Sequence, residues 1–319
     1  MRVGVLSNMR AGGSGARVAQ VLSRLSKYPE VVRAESDSAE GAAAAIRSLA
    51  EADIDVLVVN GGDGTLQRAL TELLGTASPF KRLPVVAPLR TGRTSMSALD
   101  IGSPGDPVKA IDRVVSLARS GNVDRHLVDR AVLRMMLDPD GIDHYGTFFG
   151  GGVIYRAIHL THEVFPKGRA QGVFGSSIIT ITLLGRVLTG KEHDVLEPDQ
   201  VEVHADGLHL AQTRYQLLLA TTLNRLFMRL RPFWGTGPGG IRFTGIAPGG
   251  FHNPRAVARL VRGRCPVRGN DPRYVSANLE SVVMKLDSGA TLDGEMFDPL
   301  PGRKVTLMAD HRIRFLGTR

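Results

Sequence analysis

The order of apolar and polar positions divides the chain into two parts of different character. Over residues 1–120, short apolar runs alternate with segments of helical spacing. Val3 to Ser7 reads as a first strand, and Ala16 to Ser26, with Val18, Val21, Leu22 and Leu25 apolar, as the helix after it. Glu30 to Ala34 is a candidate second strand, and the alanine-rich stretch Ala39 to Ala50 a second helix. Ile54 to Val59 predicts a buried third strand, and Pro84 to Pro88, an apolar run bounded by prolines, another. Pro107 to Ala118 carries Val108, Ile111, Val114, Val115 and Ala118 at amphipathic helical spacing. Strands alternating with helices predict a parallel sheet covered by helices on both faces.

Past Ser120-Gly121-Asn122, a candidate hinge, the pattern changes. Arg125 to Leu133 alternates enough for a strand. Gly150, Gly151 and Gly152 precede a helical pattern that runs to His162, and suggest a close backbone contact. Val173 to Leu188 is the most apolar helix candidate, read as a core helix, with one wall of an acyl-chain cleft as the alternative. Val201 to His204, Tyr215 to Thr222, Ile241 to Ala247 and Arg273 to Leu286 carry β-branched or alternating residues, with Asp206-Gly207 as a hairpin turn and Asn253 to Val261 as one intervening helix. The expected architecture is a doubly wound α/β domain over residues 1–122 and a β-rich, sandwich-like domain over residues 123–319, with the active site in the cleft between them.

Composition narrows the function classes. Of the 319 residues 43% are hydrophobic, enough to bury two cores. The one cysteine, Cys265, excludes an internal disulfide and most cysteine-based zinc sites. His159 and His162 lie three apart on a predicted helix without a third ligand, so no metal site is expected there. The net charge of +9 comes mostly from arginines spread along the chain rather than gathered in a tail, and aromatics at 5% argue against a stacking platform for nucleic acid. The first residues read directly as a strand, and no run of eighteen apolar residues occurs. These features predict a soluble cytoplasmic protein that touches a membrane from outside.

The stretch from Val58 to Leu66 carries the chemistry. A buried strand breaks into Gly61-Gly62-Asp63-Gly64 and continues through Thr65 into a helical pattern. Glycines let main-chain N–H groups approach an anion, and a helix start adds unpaired N–H groups and the positive end of its dipole. Asp63 is the odd residue. A carboxylate repels phosphate unless it acts through a metal or a water, or holds the turn together.

Gly61-Gly62-Asp63-Gly64-Thr65 resembles the GGDGT signature of the diacylglycerol kinase catalytic domain, a superfamily that includes sphingosine and ceramide kinases and, more distantly, NAD kinases. Asn8 with Ser14-Gly15 is similar to the family's first motif. Gly92, Arg93, Thr94 and Ser95 align with its Gly-Thr-x-Asn loop, where Arg93 replaces the threonine and Ser95 the asparagine. Gln67-Arg68 stands where the family often has Asn-Glu. Asp129, or alternatively Asp124, matches its aspartate at the start of the second domain, and Asn224 its asparagine before a glycine-rich loop. Asp293-Gly294-Glu295 resembles its Asp-Gly-Glu motif. The resemblance implies ATP and Mg²⁺ as cofactors, and a hydroxyl of a membrane lipid such as diacylglycerol as acceptor. Phosphates would be held by Asn8, Ser14, Gly15, Gly61, Gly62, Asp63, Gly64 and Thr65, and by Gly92 to Ser95. The catalytic residues would be Asp293, Glu295 and Asp63, with Asp293 preferred over Glu295 as the base. The expected partners are the lipid substrate and an anionic membrane surface, with no nucleic acid. A homodimer is compatible with this. The alternatives are an NAD kinase-like enzyme and a pseudokinase that binds nucleotide or lipid without turnover.

Overall fold

The computed structural model describes residues 1–9, 15–92, 94–103, 105–139, 141–164, 196–205, 208, 210, 212–251, 253–267, 271–299 and 301–318. Val173 to Leu188 and the Asp206-Gly207 turn lie outside these residues. The chain forms two compact units, one of residues 1–131 with 311–319 and one of residues 132–310. Sequence alone placed one division at 122/123. The structure divides the chain at 131/132 and returns the last nine residues to the first unit.

In the first unit, strands β1 (Val3–Asn8), β2 (Val32–Ser36), β3 (Val56–Asn60) and β4 (Val85–Pro88) are parallel in the order β2-β1-β3-β4. Phe315 adds a further parallel pairing with Val86. The helices are α1 (Gly15–Leu25), α2 (Ala39–Glu51), α3 (Asp63–Leu74), α4 (Met96–Ile101) and α5 (Pro107–Ser120). Val5, Val56, Val58 and Val85 share one core with Val21 and Leu25 of α1 and Ile111 and Val114 of α5. Side chains alternate across a strand, and Leu57 and Val59 are as buried as Val56 and Val58, so the second face is covered too. There α2 packs against β1, β2 and α3.

Local chemistry sets the helix ends. Ser38 caps α2 by accepting the Gly41 N–H at 3.0 Å. Asp106 caps α5 by accepting the N–H groups of Val108 and Lys109 at 2.8 and 3.0 Å, with Pro107 in the first turn. Arg24 on α1 donates two bonds to Asp112 on α5, at 2.7 and 2.8 Å, and the Tyr28 hydroxyl donates a third at 2.7 Å. The Arg24 bonds, opposed by partial burial and helped by Tyr28, hold Asp112 below the usual carboxylate range.

The second unit is a sandwich of antiparallel strands. One sheet runs β12 (Tyr274–Leu279), β11 (Ile241–Ile246), β10 (Leu217–Thr221), β7 (Phe148–Gly152), β14 (Ala290–Leu292), β15 (Glu295–Phe297). In the other, β13 (Ser281–Leu286) lies between β8 (Asp199–His204) and the first half of β16 (Arg303–Leu316). β9 (Arg214–Tyr215) pairs with β8, and β5 (Leu127–Leu137) with β6 (Asp143–Gly146). Phe149, Leu218, Phe243 and Leu292 from the first sheet meet Leu133, Met284, Val305 and Leu307 from the second in one core. Helices α6 (Val153–Val164) and α7 (Pro254–Leu260) complete the described α-helices, and single 3-10 turns lie at Val123–His126 and Phe227–Arg229. The doubly wound and β-rich parts predicted from the sequence are thus both present. Two details differ. Gly150 to Gly152, expected only to make a close backbone contact, lie in β7, paired with β10 and, at Gly150 and Gly151, also with β14, and Arg273 to Leu286 is two strands interrupted at Glu280.

Candidate active site

The first unit gathers most of the predicted phosphate-binding residues where β3 and β4 end. β3 is wholly buried, and its last residue, Asn60, donates to Ser7 Oγ at 3.1 Å. α3 begins at Asp63 with Gly62 as its N-cap, and no side chain caps it. The main-chain N–H groups of Asp63, Gly64 and Thr65 therefore form the open first turn of a twelve-residue helix. Asn8 Nδ2 donates to Thr65 Oγ1 at 3.0 Å, which ties the end of β1 to this turn. A Cβ at Gly61 would lie 2.4 Å from that same Thr65 hydroxyl oxygen, so only glycine fits.

The loop after β4 is fastened to the same turn at three points. The buried Thr91 hydroxyl donates to the Gly61 carbonyl at 3.0 Å. Gly92 touches Gly62 backbone to backbone, since a Cβ on Gly92 would sit 2.4 Å from the Gly62 Cα. Asp63 supplies the third. Its Oδ2 accepts the Thr94 hydroxyl at 2.5 Å and the Met96 N–H at 3.1 Å, and its Oδ1 accepts the Ser97 N–H at 3.1 Å. Asp63, the first residue of α3, thus caps α4. Ser95, buried and left-handed at φ 43°, donates its hydroxyl to the Gly92 carbonyl at 3.1 Å. Beside these fastenings lies a small recess of about 10 Å³, room for roughly one water, lined by Gly61, Gly62, Asp63, Leu66 and Ser95 among others. Ser14 and Arg93 lie outside the described residues. Gly15 is the first residue of α1.

In the second unit, Asp293 and Gly294 form the turn between β14 and β15, at φ 50° and 90°. Asp293 is only 7% exposed. Its Oδ2 accepts the Thr147 N–H at 2.7 Å, its Oδ1 accepts the Thr147 hydroxyl at 2.8 Å, and its own N–H donates to the Phe148 carbonyl at 2.8 Å. The residue preferred as base is therefore a buried strut between the β6–β7 corner and the β14–β15 turn. Glu295, two residues on, is exposed. Asp129 accepts Arg312 Nε at 3.2 Å, and Asn224 Oδ1 accepts an Arg242 N–H at 2.7 Å. Among the described residues no cluster of three or more His, Cys, Asp or Glu could hold a metal.

Thr91, Ser97 and Thr147 were missed in the sequence. Only a hydroxyl immediately before the Gly-Arg-Thr-Ser loop hinted at the first. The other two act through partners 34 and 146 positions away.

Residues 2–124 match the diacylglycerol kinase catalytic domain. The resemblance seen in the GGDGT motif is borne out by that match. Three solved structures from Bacillus anthracis str. Sterne, described as diacylglycerol kinases (two of them provisionally), share the fold along 99% of this chain and 96–97% of theirs, with TM-scores of 0.67, 0.66 and 0.65. Identity to each is 16%, so this likeness concerns fold. No curated protein matches the chain. No helix among the described residues is long and apolar enough to cross a membrane.

Proposed function

We propose that the protein is an ATP-dependent lipid kinase that transfers the γ-phosphoryl group to a hydroxyl of a membrane lipid, diacylglycerol by default. The observation that carries this reading is the open first turn of α3, braced against the loop after β4 by Asp63, within the segment that matches the kinase domain. The N–H groups of Asp63, Gly64 and Thr65 would hold ATP phosphates, and Asn8 would orient Thr65. Mg²⁺, when bound with the nucleotide, would offset phosphate charge.

The base is better assigned to Glu295 than to Asp293. A base needs a lone pair within reach of the acceptor hydroxyl. Asp293 is buried and tied to Thr147, out of reach of a lipid hydroxyl arriving from solvent, whereas Glu295 is exposed. The test is transfer of radiolabel from ATP to a crude lipid extract by wild type, Glu295→Gln and Asp293→Asn. Wild type should label a lipid, and Glu295→Gln should lose about 10²-fold or more in kcat, the usual scale for a lost general base. An unlabelled extract at every condition, with ATP still bound, would favour the pseudokinase.

A further inference from the structure

The arginines are spread along the chain, but the acids are not. Residues 207–270 contain ten arginines and neither Asp nor Glu, so this stretch holds the whole of the chain's net +9. Within it the second unit builds one exposed feature. After β10 the chain makes a tight turn closed by the Leu226 N–H to the Leu230 carbonyl at 2.8 Å. At its tip Met228 and Arg229 are both left-handed, at φ 54° and 61°, a conformation that side chains other than glycine rarely adopt. The turn holds Met228 62% exposed, the most exposed large apolar side chain described.

The Met228 turn adjoins the end of α7. The Arg231 N–H donates to the Val261 carbonyl at 3.0 Å, and Gly263 packs against the Arg231 carbonyl. Arg229, Arg231, Arg259, Arg262 and Arg264 are all exposed. Arg259 and Arg262 bond only to carbonyl oxygens, those of Cys265 and Ala258, at 2.8 Å each. Among the described residues none of these five meets a carboxylate. An apolar tip flanked by uncompensated arginines matches the two layers of an anionic bilayer surface: the methionine enters the acyl boundary while the guanidinium groups meet lipid phosphates.

We propose that the Met228 turn and the end of α7 form a docking surface for an anionic lipid bilayer. The choice of a bilayer over another polyanion rests on the lipid-kinase reading. The unneutralised surface does not. A nucleic-acid backbone would take the arginines but offers nothing to an exposed methionine side chain.

The experiment is co-sedimentation of the full chain, without nucleotide, with phosphatidylcholine vesicles with and without phosphatidylglycerol. Omitting nucleotide makes the result independent of whether the protein phosphorylates a lipid. Wild type should bind only the anionic vesicles and be released by salt, because screening acts over about 10 Å at 0.1 M. Arg229→Glu with Arg231→Glu should weaken binding at least about tenfold, each charge near such a surface contributing about 1 kcal/mol. Met228→Asp should weaken it as well, and Met228→Leu should not. Lys81→Glu with Arg47→Glu, exposed positions in the other unit, make the same charge change and should leave binding within about threefold. Melting temperatures of all variants guard against misfolding. Overturning results are equal binding to neutral vesicles, variants at the turn that bind like wild type, an equal loss from the Lys81 and Arg47 pair, or tighter binding to duplex DNA than to vesicles at the same salt.

Discussion

Asp63 Oδ1 accepts the main-chain N–H of Ser97 at 3.1 Å, across 34 positions of sequence. The acid of the glycine turn is therefore committed to its neighbouring loop, and this explains how a carboxylate can stand in the wall of a phosphate site. The N–H groups and hydroxyl it accepts partly neutralise its charge, while the helix it opens remains available to an anion.

Removing that acid should cost stability before it costs chemistry. Asp63→Ala strips α4 of its cap and leaves three donors without their acceptor. A lost cap alone is worth about 1 kcal/mol. Urea unfolding should show the variant less stable by at least that amount, and Asp63→Asn, which keeps one oxygen, by less. An Ala variant as stable as wild type would mean the brace does not hold α4.

Gly92→Ala tests the backbone contact. Its Cβ would sit 2.4 Å from the Gly62 Cα, so one loop must move, at a cost of about 1–3 kcal/mol for overpacking. Gly15→Ala is the control, since a Cβ there meets nothing within 4 Å and the residue lies in α1. It should be neutral or stabilising. Weakened binding of ATP by Gly92→Ala, read by calorimetry, is the expected functional companion.

The Asp-Gly-Glu corner separates strut from base. Asp293→Asn presents an NH₂ where Thr147 now donates, and should lose about 2 kcal/mol, the scale of a hydrogen bond to a charged group. Thr147→Val should lose part of this, and Thr147→Ser little. Glu295→Gln, on an exposed strand, should stay within about 0.5 kcal/mol of wild type in thermal unfolding. The reverse order of the Asp293 and Glu295 effects would refute the assignment.

Acid should expose the clip between α1 and α5. Asp112 has its native value depressed below 3.8, chiefly by its bonds from Arg24. The native state thus prefers the ionised form more than the unfolded chain does. Its contribution is complete above the unfolded value and disappears as pH falls through the depressed native one. Wild type should lose more melting temperature than Asp112→Asn between neutral pH and pH of about 2. Parallel curves would show that the pair adds nothing.

The parts of the fold that were legible in sequence are those whose cause is local. β3 announces itself because five consecutive residues are buried, and α5 because an amphipathic stripe follows Asp106-Pro107. α4 was not legible. It has six residues, starts from a left-handed Ser95, and takes its cap from Asp63. Gly150 to Gly152 carry no strand propensity of their own, and their place in β7 depends on the neighbouring strands β10 and β14. The candidate site divides the same way. Gly61 to Thr65 could be found from their own sequence, whereas the burial of Asp293 depends on Thr147, far upstream.

The return of residues 311–319 to the first unit has a consequence for biosynthesis. Strands β1 to β4 lie within residues 3–88, yet Phe315, which pairs with Val86 of β4, is synthesised more than two hundred residues later. Throughout that interval the β4 edge has no Phe315 beside it, and an unpaired edge is a template for wrong pairing. The nascent first unit must wait, held by its four parallel strands, for residues 311–319 to join it.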